Sequence, residues 1–329
     1  MLWEELVLIS VVIPTYNRKP ILEKCLKALS RQNLSADSVV TGYEIVLVDD
    51  GSTDGTLEWL EERAAEFPQV RAFWQNNQGQ ATARNLGVKQ AKGDTIVFVD
   101  SDVVVTENFL QAHADALVQG QQQLKTNQAT GKLVAPDCLF SYGRTVNTFN
   151  FDNPTAEPYK LTDFSAAYFD TCNVAIARKW LEKAGLFDTQ FKQYGWEDLE
   201  LGVRLKQLGL KLIKCPAAVG YHWHPPFALE QIPSLIDKEI QRGRMGVLFY
   251  QKHPNWEVRM MIQMTLLHRL LWGILSLGGN LNERTMAGLL QWLINQGKPQ
   301  LAYQVARIFL NLYSVREVYA VLASAKPKN

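Results

Sequence analysis

A run of β-branched and aromatic residues, Thr95-Ile96-Val97-Phe98-Val99, ends in Asp100-Ser101-Asp102. The run reads as a buried strand. In extended backbone, residues i and i+2 point the same way, so Asp100 and Asp102 face one point while Ser101 faces away. Two carboxylates aimed together repel unless a cation lies between them. Oxygen ligands of this kind suit a hard divalent ion that keeps positions free for substrate phosphates. Alone, Asp-Ser-Asp is also an ordinary strand-to-loop turn, so the weight lies in its neighbours.

Three further constellations qualify. Asp49-Asp50 begins a Gly51-Ser52-Thr53-Asp54-Gly55 turn after a strand over residues 43–48. Gly195-Trp196-Glu197-Asp198 opens a helix whose core face is Leu201, Leu205 and Leu208. Acidic residues in a first turn are favoured by the helix dipole alone, which is the plain explanation of Glu197 and Asp198. His222 and His224 are again i and i+2, one face of an extended segment or two ordinary structural histidines. No Gly-x-x-x-x-Gly-Lys-Ser/Thr loop occurs, so phosphate charge must be met by a cation and not by a P-loop.

The elements that must position these groups alternate. Strands are expected over residues 6–14, 43–48, 70–74, 95–99 and 170–176. Helices are expected from residue 20, and over 56–65, 80–89 (containing Arg84) and 178–184. Such alternation gives an α/β fold with a mostly parallel sheet covered on both faces. Ligands of such sheets bind outside the strand carboxyl ends, where Tyr16, Asp49/Asp50 and Asp100/Asp102 all fall. The Gln-rich stretch 120–132 reads as a mobile surface segment, and 147–163 as a loop able to act as a lid. From residue 228 the pattern is helical throughout: 229–252, 256–277, 284–295, 300–313 and 315–325. The expected division is 1–227 as a catalytic domain and 228–329 as an all-helical lobe.

Val11-Val12-Ile13-Pro14-Thr15-Tyr16-Asn17, Val48-Asp49-Asp50-Gly51-Ser52-Thr53-Asp54-Gly55, Ala83-Arg84-Asn85 and Asp100-Ser101-Asp102 together resemble family 2 glycosyltransferases, over roughly residues 8–225. The resemblance implies the nucleotide-sugar-binding fold called GT-A, inversion at the sugar, a nucleotide-diphosphate-sugar donor (a UDP-sugar is expected), a Mn²⁺ or Mg²⁺ ion, and transfer to a hydroxyl. It implies that Tyr16 lies against the base, Asp50 accepts from the base's ring N–H while Asp49 braces the loop, and Arg84 approaches base or diphosphate. Pro14 and Ser101 fall in the same donor site, Asp100 near the ribose, and Asp102 on the metal. The Gly-Trp-Glu-Asp stretch looks most like the branch with chondroitin-type polymerases and galactosyltransferases. That likeness makes Asp198 the general base and Glu197 a holder of the acceptor hydroxyl, with Asp198 ionised near neutral pH. In that branch a histidine near His222 or His224 can be a further metal ligand; spacing does not choose, and His222 is preferred. A sugar nucleotidyltransferase would want a Gly-rich basic loop where Pro14-Thr15-Tyr16-Asn17-Arg18 stands. An inactive scaffold would have lost Asp102 or Asp198.

Composition bounds the partners. The chain has 329 residues, 47% hydrophobic and 20% charged, with net charge +1. Residues 1–224 hold 22 Lys and Arg against 27 Asp and Glu, a balance of −5; residues 225–329 hold 12 against 6, a balance of +6. A basic last third argues for an acidic or membrane-surface partner there and against whole-protein nucleic-acid binding. An apolar stripe of Leu301, Val305, Ile308 and Leu312 beside Lys298, Arg307 and Arg316 fits core packing or peripheral membrane docking, the latter giving access to a lipid-linked acceptor; a glycan is the other expected acceptor. Four scattered cysteines fit a reduced cytoplasmic protein. The acidic start, Met1 to Glu5, is unlike a secretory signal. Residues 260–277, interrupted by Gln263, His268 and Arg269, are too short to span a bilayer.

Overall fold

The computed structural model describes residues 7–129 and 137–324. The chain runs β1 (Val7–Thr15), α1 (Lys19–Leu29), β2 (Val40–Asp49), α2 (Thr56–Glu62), β3 (Val70–Trp74), α3 (Gln80–Gln90), β4 (Thr95–Val99) and β5 (Val103–Val105). It continues with α4 (Phe109–Ala129), β6 (Leu139–Thr148), β7 (Asn173–Ala177), α5 (Arg178–Ala184), α6 (Glu197–Gln207) and β8 (Lys211–Trp223). Among the described residues these strands form one sheet, ordered β3-β2-β1-β4-β7-β6-β8-β5. β3, β2, β1 and β4 are parallel. β7 is antiparallel to β4 and β6, β8 is parallel to β6, and β5 is antiparallel to β8.

The central strands are apolar on both faces because both are covered. Val11, Ile13, Ile45, Leu47 and Val97 pack with Leu22, Leu26 and Phe109. The intervening Val12, Val46, Val48 and Phe98 pack with Phe140, Phe169 and Leu201. Parallel register then brings three carboxyl ends level, Thr15 opposite Asp49 and Val12 opposite Phe98. β5 and β8 add the less obvious juxtaposition. Val103 pairs with His222, and the Trp223 N–H donates to the Asp102 carbonyl at 2.9 Å.

Several expectations are corrected. The Gln-rich stretch is not a mobile segment over 120–129: it is the end of α4, with Gln121 buried and Gly120 so close to β8 that a Cβ would meet Ile213 at 2.0 Å. Residues 130–132 of that stretch lie outside the described residues. Strand β1 does not stop at Pro14, which pairs with Val48 inside the sheet. The expected 256–277 helix is two, α8 (Trp256–Met261) and α9 (Leu266–Leu275). Gln263 takes a left-handed φ of 57°, and the Thr265 hydroxyl then accepts from the His268 N–H to start α9.

The chain divides into two compact units, residues up to 192 with 197–224, and residues 193–196 with those from 225 on. The second contains α7 (Ile232–Lys252), α8, α9, α10 (Glu283–Asn295) and α11 (Pro299–Ser324). Its core is Phe227, Ile232, Met286, Leu290, Leu293, Ala302, Ala306, Phe309 and Leu310. α11 is one helix where two were expected, and Leu312 of the apolar stripe is buried, with Val305 half-buried against the core. The stripe is mixed, since Ile308 is half-buried as well and Leu301 is 48% exposed.

Candidate active site

Strand and helix ends of the first unit gather the charged groups. Gly87 brings α3 close to β1, where a Cβ would meet Val12 at 2.4 Å, and this presses Arg84 into the protein. Arg84 is 2% exposed. Its Nη1 donates to Glu197 Oε1 at 2.8 Å and its Nη2 to Asp100 Oδ1 at 2.9 Å. One buried cation therefore joins the turn after β4 to the start of α6, 113 residues further along than Arg84 itself. The two carboxylates in turn hold Arg84 more firmly protonated, outweighing burial. Expected at base or diphosphate, Arg84 instead has no face open to a ligand, because both amino groups are bound by acids.

Asp102 is 5% exposed. Its Oδ2 accepts from Arg18 Nη1. Its Oδ1 is buried without a hydrogen-bond partner and lies 3.4 Å from His222 Nε2. Burial would raise Asp100, but Arg84, His222 and Arg18 hold it below the ordinary carboxylate range. His222 is lowered by burial but raised more by Cys172 and Asp100, to about 9. His222 thus binds the two aspartates into one electrostatic group. Ser101, between them, is buried.

An orphaned carboxylate oxygen 3.4 Å from an imidazole nitrogen fits a divalent cation held by Asp102 and His222, one oxygen and one nitrogen donor. Among the described residues no group of three or more His, Cys, Asp or Glu side chains is arranged to hold a metal. His224 does share the face of His222, ring centroids 4.3 Å apart. Its Nε2, however, pairs with Asn147 Oδ1 at 2.8 Å, and burial together with His222 pushes it down to about 3.

At the start of α6, Asp198 sits beside Glu197, with Oδ1 accepting from the Leu199 N–H at 2.7 Å. Gly202 lets α6 approach the segment before β7, where a Cβ would meet Phe169 at 2.9 Å, and this draws in Asp170. Burial first, then Glu197 and Asp170, raise Asp198 well above the usual carboxylate value, with Arg84 pulling the other way. The dipole of a helix start, which favours the charged form, is thus opposed by desolvation and two like charges. Gly195 and Trp196, which precede it, belong to the second unit, where Trp196 Nε1 donates to the Arg242 carbonyl at 2.8 Å.

The loops after β1 and β2 brace each other. Asn17, at φ 52°, receives the Thr53 N–H on its Oδ1 at 2.8 Å and donates its own N–H to Ser52 Oγ at 2.9 Å. Asp49 Oδ1 accepts from the Ser52 N–H at 2.8 Å, while Asp49 Oδ2 is buried without a partner. Asp50 accepts from Gln75 Nε2 at 2.6 Å and from the Gln78 and Gly79 N–H groups, each at 2.9 Å. Both Asp50 oxygens thus hold the loop before α3. Tyr16, 47% exposed, stands free above the strand ends, and Pro14 is inside the sheet.

Sequence reasoning missed Arg18, Asp170 and Asn147. Arg18 follows Tyr16-Asn17 at a strand end already marked as ligand-facing, and that position was a usable signal. Asp170 and Asn147 reach the site through β6, β7 and β8, whose mutual pairing no local pattern discloses.

A family model described as Glycosyl transferase family 2 matches residues 10–184. Among curated proteins, the chain is 28% identical over 262 residues to the uncharacterized glycosyltransferase YfnE of Bacillus subtilis, covering 66% of this chain and 65% of that one. It is 29% identical over 248 residues to chondroitin synthase of Escherichia coli, covering 66% of this chain and 35% of that one. The chain therefore spans less than two thirds of the length of these relatives. Among solved structures, a mannosyltransferase of Pyrobaculum calidifontis, described in complex with GDP-Man and Mn²⁺, superposes with a TM-score of 0.58 at 18% identity, covering 99% of this chain and 90% of that one. The architecture is the GT-A fold.

Proposed function

Since the chain belongs to glycosyl transferase family 2, we propose that it is a divalent-cation-dependent inverting glycosyltransferase, moving a sugar from a nucleotide diphosphate to a hydroxyl of a glycan or a lipid-linked acceptor. The supporting observation is the unbroken chain of charge from Asp102 through His222, Asp100 and Arg84 to Glu197 and Asp198. It puts a cation-seeking carboxylate and a base-like carboxylate at one end of one sheet, as a transfer reaction requires.

Asp102 and His222 would hold a Mn²⁺ or Mg²⁺ ion, which when bound neutralises charge on the departing nucleotide diphosphate. Tyr16 offers an aromatic face to the base. Asp100 orients the ribose side, and Arg18, already on Asp102, adds a cation at the same edge. Asp198 accepts the proton of the incoming hydroxyl as it attacks the anomeric carbon, and Glu197, fixed by Arg84, orients that hydroxyl. A raised Asp198 is the better proton acceptor once ionised, and transfer falls as pH drops through its value.

The test is transfer with a panel of UDP-sugars plus GDP-mannose, with and without Mn²⁺. Cation-dependent release of nucleotide diphosphate with inverted product supports the reading. Equal turnover in a chelator, or a retained anomeric configuration, contradicts it.

A further inference from the structure

We propose that α9 of the C-terminal unit docks flat on an anionic lipid surface. No side chain of this ten-residue helix is buried. Leu266, Leu267, Leu270, Leu271, Ile274 and Leu275 are 42–72% exposed, and their three- and four-residue spacing sets them on one stripe. Contiguous apolar surface of this kind marks a protein or membrane interaction site, in contrast to scattered exposed leucines. The stripe singled out on α11 runs from exposed Leu301 to buried Leu312; this one is exposed along its whole length.

Charge selects the occupant. Residues 258–282 contain no carboxylate, and their cations are Arg259 and Arg269. Arg316 Nη2 reaches the Gly278 carbonyl at 3.3 Å, just beyond the end of α9. Trp256, 64% exposed, stands beside Arg259 with the guanidinium 5.8 Å from its ring, the pairing of amphipathic aromatic and cation that suits a headgroup layer. The segment 258–282 carries cations and no carboxylate, with Glu257 and Glu283 just outside it, and an apolar stripe in that setting matches anionic headgroups over acyl chains. A second copy of this chain would set the same cations against themselves, which disfavours self-pairing. Among the described residues no helix is long and apolar enough to cross a membrane, so the contact lies in the interface plane.

The full chain is sedimented with vesicles of phosphatidylglycerol and phosphatidylcholine, and with phosphatidylcholine alone. Binding to the anionic vesicles is expected, weakened by salt. Leu270→Glu with Ile274→Glu should weaken it roughly tenfold or more, as should Arg259→Glu with Arg269→Glu, with unchanged circular dichroism. As a readout that needs no charged variant, a polarity-sensitive dye on Ile274→Cys should shift to the blue on adding anionic vesicles and stay unshifted without them. No binding to anionic vesicles, an unshifted dye, or undiminished binding by the Leu270/Ile274 variant overturns the proposal. A concentration-dependent dimer that Leu270→Glu dissolves, without vesicle binding, also overturns it and gives the face to a second copy.

Discussion

Asp50 and Asp102 each lie just beyond a buried parallel strand, and they are equally inaccessible, 6% and 5% exposed. Asp50 receives three donors from the loop over residues 75–79. Asp102 receives Arg18 on one oxygen, and on the other no hydrogen bond, only the His222 Nε2 at 3.4 Å. A buried acceptor without a hydrogen bond costs about 1–3 kcal/mol, so the second turn leaves open, beside the His222 charge, a position that the first has filled. The difference separates a carboxylate that builds the fold from one kept ready for a ligand, although both read as Asp at a strand end.

Substitutions should break the molecule along that line. Arg84→Met should have the largest effect on stability, roughly 3–5 kcal/mol, because it leaves Glu197 as an uncompensated buried charge and removes a partner of the partly exposed Asp100. Chemical denaturation measures it, and a loss below about 1 kcal/mol would show that the bridge is not structural. Asp198→Asn should spare folding and donor binding while lowering transfer by about 10²–10⁴-fold, the range for a lost general base. Full activity in that variant would remove Asp198 from the chemistry.

His113 tests the satisfied class by pH. It is fully buried between Ser141 Oγ at 2.7 Å and Asn173 Oδ1 at 2.9 Å, and burial lowers it to about 4. A histidine depressed in the folded state stabilises above its unfolded value near 6.5, and that stability is lost as pH falls through 4. The loss should reach roughly 3 kcal/mol, and His113→Gln should flatten that acid slope in thermal melts. An unchanged slope would assign it elsewhere. Smallest is Asp50→Asn, expected to cost about 1–3 kcal/mol while leaving the Mn²⁺ dependence of donor binding in place. A shifted Mn²⁺ midpoint would erase the distinction from Asp102.

Much of this was legible in the sequence, and unevenly. The two-faced apolar strands β1, β2 and β4 and the amphipathic α1 declared themselves by periodicity, and with them the strand ends carrying Tyr16, Asp49 and Asp100. The pairing of β5 with β8 was not legible, since Val103-Val104-Val105 is too short to announce a partner over a hundred residues away. With it went the approach of His222 to Asp102. Arg84 was expected at the base or diphosphate because a single arginine in a helix carries no sign of burial; only Gly87 against Val12 shows why it turns inward. The upward push on Asp198 was not legible, because the helix dipole is local and visible, whereas Asp170 arrives through packing. In the C-terminal unit the helices were expected, but the α11 stripe was left between core packing and membrane docking and the α9 stripe went unmarked, since hydrophobic spacing does not say which face finds a partner.

The most direct measurement is isothermal titration of a nucleotide-sugar donor into wild-type chain and Asp102→Asn, each with and without Mn²⁺. The account expects Mn²⁺ to tighten donor binding in the wild type by at least about tenfold, roughly 1.4 kcal/mol, and to have no effect in Asp102→Asn. A variant that still binds donor in the same Mn²⁺-dependent way would contradict it.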